Sequence, residues 1–253
     1  EQPPGAEIIR LGDVDIGAIE TALARFEIPL PSLSAVAVQD HGYSPDAGGR
    51  EFRYEFLQDL LARGGDLLSM VYRDPPHYML RMRAVRELLP GVVVMDTGAA
   101  AVLGTLGDPV VAREAATGGA ILVNVGNLHT FAVAVRGLRV LGLFEHHTGG
   151  VTPAILRELV EALRTGRLTH DDVVALGGHG AAFAPDYSTL EPITFVAITG
   201  PNRGLVRSLG YYEAVPHGDM MLSGSYGLVE GLLALLAREG FPTGKSLIAT
   251  NGR

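Results

Sequence analysis

The chain is expected to be an α/β protein whose regular part occupies residues 91–253, preceded by a smaller α+β segment over residues 1–90. Three observations predict it. Before Gly91 the hydrophobic period is mixed, with helical spacing at Ile16, Ile19, Leu23 and Phe26 beside a strand-like run at 33–38. After Gly91 short continuous apolar runs alternate with helical patterns, as buried strands and their covering helices do. Between residues 120 and 144 three such runs follow one another, joined by Gly126-Asn127 and Arg136-Gly137, both hairpin signals. With 47% hydrophobic residues among 253, there is ample material for a packed core.

In chain order, residues 15–26 read as a helix and 33–38 as a strand, which runs into a Gly/Pro/Asp loop at 40–50. Residues 51–63 have helical spacing and 67–72 read as extended. Pro75-Pro76 opens a helix through Leu89, because proline suits a first helical turn. Tyr78, Met79 and Met82 on that helix read as core filler. Residues 92–95 form a buried strand, Asp96-Thr97 a helix cap, and 98–106 a helix of small residues that packs closely. Strands at 120–125, 129–135 and 138–144 come next, then helices at 152–164 and 169–176. A strand at 193–198, a short helix at 202–209, a strand at 212–215 and a helix at 222–238 follow. Gly224 and Gly227 allow that last helix a close neighbour. No repeat at solenoid or propeller periods is evident.

Composition narrows the function. Twenty basic against 28 acidic residues give a net charge of -8 without a basic stripe, which speaks against a nucleic-acid partner. No stretch approaches the roughly 18 to 20 uninterrupted apolar residues of a membrane span, so no membrane partner is expected. The chain has no cysteine, which excludes disulfides, thiolate zinc sites, iron–sulfur clusters and a cysteine nucleophile within it. Any metal must rest on histidine and carboxylate. The composition suits a reducing cytoplasm, and the expected partner is a small anionic molecule. The opening Glu1-Gln-Pro-Pro, without a methionine, points to a piece of a longer protein.

Five glycine-flanked polar clusters carry the candidate chemistry: Asn124-Val-Gly126-Asn127-Leu-His129-Thr130, Glu145-His146-His147-Thr-Gly-Gly150, Gly177-Gly-His179-Gly180, Gly200-Pro-Asn202-Arg203 and His217-Gly-Asp219. Four of them follow directly on apolar runs, so a rigid scaffold presents several polar loops together. The order of elements from Asp96 through the Gly-Asn turn to Thr199-Gly-Pro-Asn-Arg203 resembles the second lobe of the actin, sugar-kinase and heat-shock-chaperone ATPase superfamily, with its ribonuclease-H-like topology. The Thr-Gly-Pro-Asn-Arg, Glu-His-His-Thr-Gly-Gly and His-Gly-Asp-Met-Met strings, over roughly residues 90–230, further resemble a microbial family labelled pyruvate formate-lyase-activating-enzyme-like. That label implies a radical S-adenosylmethionine activase, which a chain without cysteine does not support.

The superfamily resemblance implies that ATP or another nucleotide, with Mg²⁺, is held by Asn124, Gly126, Asn127, His129 and Thr130 at the phosphate turn. It implies that Gly200, Asn202 and Arg203 lie beside the adenosine. Asn124 stands where the family has aspartate; a neutral amide does not attract hydrated Mg²⁺, whereas turn amides need no side-chain charge to bind phosphate. The resemblance also implies a first lobe with its own phosphate loop, and nothing before Val92 supplies one. Asp96 is expected either as a general base toward a hydroxyl, the catalytic role the resemblance implies, or as a plain N-cap. Arg203, at a helix start, suits an anionic group.

The histidines support a rival. His146, His147, His217 and Asp219 are candidate ligands of Zn²⁺ or Mn²⁺, and His179 a candidate catalytic residue, in a metal-dependent hydrolase. Within a strand His146 and His147 point to opposite faces, so at most one serves a given site. His41, His77 and His170 have no comparable context. The third reading is a non-catalytic regulatory module on the same fold, in keeping with the loss of the aspartate at Asn124.

Overall fold

The computed structural model describes residues 12–45 and 49–243; Glu1 to Pro4 and part of the expected loop at 40–50 lie outside them. Eight helices and nine strands are present among the described residues. They are α1 (Ile16–Ala24), β1 (Ala35–Ala37), α2 (Gly49–Ala62), β2 (Val71–Tyr72), α3 (Leu80–Leu88), β3 (Val93–Met95), α4 (Thr97–Thr105) and α5 (Pro109–Thr117). Then come β4 (Ala120–Val125), β5 (His129–Arg136), β6 (Arg139–His147), α6 (Pro153–Arg164), α7 (His170–Ala175), β7 (Gly180–Phe183), β8 (Phe195–Thr199), β9 (Tyr212–Glu213) and α8 (Ser223–Arg238).

The strands form two sheets. The smaller has the order β1-β3-β2, with β1 parallel and β2 antiparallel to β3. The larger has the order β7-β6-β5-β4-β8-β9, in which β4, β5, β6 and β7 are successively antiparallel while β8 and β9 run parallel to β4. The protein is thus a mixed α/β structure. β3, placed by sequence in the second part, completes the sheet of the first. No antiparallel strand pair joined by a tight turn precedes β3 among the described residues.

Strand alternation sorts the core into layers. Leu122, Phe131, Val133 and Leu143 on the larger sheet share a central core with Val93 and Met95 of the smaller sheet and with α2, α4 and α8. The opposite residues of the larger sheet, Ile121, Val123, Ala132 and Phe144, pack under α6 and α7. Behind the smaller sheet Val94 meets Met79, Met82 and Val85 around α3, so the two methionines are core filler as expected. This two-residue alternation decides which polar side chains at the strand ends face the central layer.

Local chemistry explains where the elements depart from expectation. Residues 67–70 form a 3₁₀ turn and not a strand, because the Asp66 carboxylate accepts from the Leu68 amide and winds the chain before β2. α3 begins at Leu80, later than Pro75-Pro76, with the Asp40 carboxylate accepting from the Met82 amide. Gly227, but not Gly224, is a contact glycine. Residues Met220–Arg238 are long and apolar enough by composition to cross a membrane, although Glu230 interrupts them. In the fold this stretch buries one face: Ser223, Gly227, Glu230 and Gly231 are buried, and α8 packs on α4 and all three strands of the smaller sheet.

Candidate functional site

The turn between β4 and β5 is built by local bonds. The Gly126 amide donates to the His129 carbonyl at 3.0 Å and closes the hairpin, which leaves the Asn127 and Leu128 amides without a backbone partner among the described residues. Asn202 clamps this turn from the neighbouring strand: its amide donates to the Val125 carbonyl and its side-chain nitrogen to the Gly126 carbonyl at 2.9 Å. Gly200 adopts φ +97°, and a Cβ there would sit 2.5 Å from the Val125 carbonyl oxygen, so the 199–202 turn can close on β4 only with glycine. The expected phosphate turn and the turn expected beside the adenosine are therefore joined into one edge.

That edge faces the end of β3. Asp96 is buried and splits its duties: Oδ1 accepts from the Gly98 and Ala99 amides at 2.9 and 3.3 Å, capping α4, while Oδ2 has no hydrogen-bond partner among the described residues. The cap thus rests on Oδ1, and Oδ2 is the oxygen that faces Arg53 at 3.5 Å. Between these parts lies a cleft of about 290 Å³ lined by Asp96, Gly98, Asn124, Gly126, Asn127 and His129 together with Gln39, Phe131, Glu145 and Pro201. A smaller cavity of about 120 Å³ adjoins it, sharing Asn124 and Pro201 and reaching Thr199, Gly200 and the start of α8.

Beside the cleft four imidazoles converge. The β5–β6 register pairs His129 with His147 and Phe131 with Glu145, all facing the central layer, whereas the paired Thr130 and His146 face the other way. His179 enters just before β7, its amide donating to the Glu145 carbonyl at 2.8 Å. Ring centroids lie 5.0 Å apart for His129 and His147, 4.9 Å for His129 and His179, and 4.5 Å for His147 and His179. His41, from the loop after β1, stands 5.2 Å from His129 and 5.0 Å from His179. Two overlapping sets, His129 with His147 and His179, and His41 with His129 and Glu145, each bring one donor atom per residue within 4.8 Å of the others.

A buried cation lies next to this cluster. Arg53 on α2 reaches Glu145 Oε2 from Nε at 3.2 Å, Asp96 Oδ2 from a terminal nitrogen at 3.5 Å, and the Asp40 carbonyl at 3.3 Å. Burial alone would raise the Glu145 carboxyl, but Arg53 and the surrounding imidazoles outweigh it and hold the group below the usual carboxylate range. Burial pushes the His179 imidazole down to about 4, and lowers His41 against the pull of Glu145. Both rings are therefore neutral near pH 7 and carry a lone pair.

The structure unites some of the sequence candidates and separates others. Asp96, Asn124, Gly126, Asn127 and His129 line one cleft, with Gly200 in the adjoining cavity and Asn202 holding the turn. Thr130 points away from the cleft, its hydroxyl 3.1 Å from that of Thr148. Arg203 is turned to Glu213, which it shares with Arg207, and to the Gly200 carbonyl. Of the proposed metal ligands only His147 joins the histidine cluster. His146 lies on the opposite face with both ring nitrogens 2.9 Å from carbonyl oxygens of His147 and Leu176. His217 packs edge-on against Tyr226, and Asp219 caps the Met221 amide at 2.8 Å.

His41, Gln39 and Arg53 are the site residues that sequence reasoning did not single out. Arg53 had a signal: it falls with Leu57 and Leu61 at i, i+4 and i+8, the buried stripe of α2, where an arginine needs a buried partner.

A family model described as "Putative pyruvate format-lyase activating enzyme (DUF1786)" matches residues 1–205. No curated protein matches the sequence. Among solved structures, ethanolamine utilization protein EutJ from Carboxydothermus hydrogenoformans is similar at 15% identity, over 84% of this chain and 72% of that one, with a TM-score of 0.36.

Proposed function

We propose that this chain, which belongs to the DUF1786 family, binds a phosphorylated small molecule, a nucleotide foremost, in the cleft between the β4–β5 turn and α4. One observation carries the reading: Asp96, the Asn124–His129 turn and Pro201, which are far apart in sequence, line a single cleft. The strand order supports it further. β6-β5-β4-β8-β9, antiparallel through the first three and parallel thereafter, is the order expected of a ribonuclease-H-like unit in an actin-like lobe.

The donor set suits phosphate. The Asn127 and Leu128 amides offer anion-binding N–H groups without side-chain charge. Mg²⁺ is commonly held by one or two carboxylates together with substrate phosphates, and Asp96 is a carboxylate in the cleft wall whose Oδ2 makes no hydrogen bond, although an ion there would share it with Arg53 at 3.5 Å. Mg²⁺ bound there would supply charge neutralisation of the phosphates. Asp96 would take a proton from a substrate hydroxyl, with Arg53 facing the carboxylate at 3.5 Å. The cleft and the adjoining cavity meet at Asn124 and Pro201, which gives an elongated ligand room to extend toward α8. The activating chemistry in the family's description forms no part of this reading, since iron–sulfur clusters rest on thiolates and the sequence contains no cysteine.

The test is a thermal-shift series with ATP, ADP and inorganic phosphate, each with and without Mg²⁺. At about 100 times Kd a ligand adds about 2.7 kcal/mol of stability, so a rise of several degrees is expected with nucleotide and Mg²⁺. No rise at millimolar nucleotide would contradict the reading.

A further inference from the structure

We propose that His129, His147 and His179 form a three-imidazole binding site for a divalent transition metal ion, Zn²⁺ in the first instance, beside the cleft. The site goes beyond the nucleotide reading and does not depend on it.

Three independent elements deliver the ligands. The register of β5 against β6 sets His129 opposite His147 on one face, and the turn into β7 brings His179 over both. A tetrahedral zinc with Zn–N of about 2.0–2.1 Å separates its nitrogens by about 3.3 Å, and the donor atoms here already lie within 4.8 Å of one another. Closing the difference would call for side-chain rotation.

The second observation is His179 itself. Its side chain is buried, at 6% exposure, yet neither ring nitrogen has a hydrogen-bond partner among the described residues. A buried polar ring left unsatisfied is costly, and a metal bond would satisfy one of its two nitrogens. Here the ring stands against the two imidazoles that would complete the ligand set.

The surroundings favour this triad over the one formed by His41, His129 and Glu145. Glu145 is already paired with Arg53, and a cation drawing on that carboxylate would compete with the guanidinium. His41 and Gln39 fit better as outer partners. The Gln39 amide lies 2.6 Å from His129 Nδ1 and 3.1 Å from His41 Nε2. With its oxygen turned toward the rings, one acceptor serves both N–H groups and leaves His129 Nε2 free to donate to the metal. Three imidazoles leave a fourth position open, and one of the three, His129, lines the cleft.

The experiment is calorimetric titration of chelator-stripped protein with Zn²⁺, paired with the visible spectrum of the Co²⁺ form. One ion per chain and the intense bands of tetrahedral cobalt are expected. His179→Gln and His147→Gln, each checked for folding by circular dichroism, should each weaken Zn²⁺ binding by about 100-fold or more, the upper end of what outer-partner losses cost. His217→Ala should leave affinity unchanged. Absence of stoichiometric binding, or equal weakening by His217→Ala, would overturn the site. Because no nucleotide is present, the outcome is separable from that of the thermal-shift series.

Discussion

Replacing Arg53 with methionine is expected to destabilise the protein by about 3–5 kcal/mol, the usual cost of removing one partner from a buried ion network. Arg53 is 2% exposed and is the cation facing both Asp96 and Glu145, each itself buried. Without it two carboxylates remain in a poorly solvated layer with no positive partner in Arg53's place, and the Asp40 carbonyl loses a donor. Lysine should recover only part of the loss, since a single ammonium cannot span three acceptors as a planar guanidinium does. Pairing Arg53→Met with Glu145→Gln should restore some stability by removing one orphaned charge. Urea unfolding of the three variants checks this, and a loss below about 1 kcal/mol for Arg53→Met would show that the network contributes little.

Gly227→Ala is expected to cost about 3 kcal/mol or more, at the upper end of overpacking penalties. A methyl group at Gly227 would lie 1.9 Å from the Ala100 carbonyl oxygen and 2.5 Å from the Gly104 amide nitrogen. Gly104 repeats the contact from the other side, where a Cβ would meet the Ser223 carbonyl oxygen at 1.7 Å. Backbone carbonyls cannot rotate aside as a flexible side chain can, so the helices must separate. α4 is capped by Asp96 and α8 begins at the cavity wall, and their separation would widen the cleft as well as weaken the core. Gly224→Ala, with nothing within 4 Å, is the matched control and should stay within about 0.5 kcal/mol apart from helix propensity, which favours alanine. Thermal unfolding of the two variants separates these expectations.

The parts of the fold legible in sequence are those set by neighbours along the chain. Gly126-Asn127 and Arg136-Gly137 sit between apolar runs, so β4, β5 and β6 follow from turn chemistry and period alone. The opposite facing of His146 and His147 follows from the same period and holds in the structure. β7 escaped because Gly180-Ala-Ala-Phe183 is short and lacks branched residues; it is a strand through its pairing with β6. α5 had a signal in Asp108-Pro109, a cap followed by a first-turn proline, which the strand-and-helix reading above does not include.

The site was legible as loops and illegible as an assembly. Each glycine-flanked cluster could be seen, but which ones meet is fixed by strand order, and strand order depends on long-range pairing. Thus His217 and Asp219 resemble a ligand pair locally, yet they serve the turn before α8. His41 has no distinguishing context in sequence and reaches the cluster only because β1 lies parallel to β3, which places the loop after β1 beside the end of β3.

The central claim is that the cleft between the β4–β5 turn and α4 holds a phosphorylated ligand. Amide hydrogen exchange with and without Mg²⁺ and ADP tests it most directly, because it locates the ligand as well as detecting it. Slowed exchange is expected at residues 96–99, 124–130 and 199–203, with α6 and α7 on the far face unchanged. Protection confined to other segments, or none at saturating nucleotide, would contradict the account.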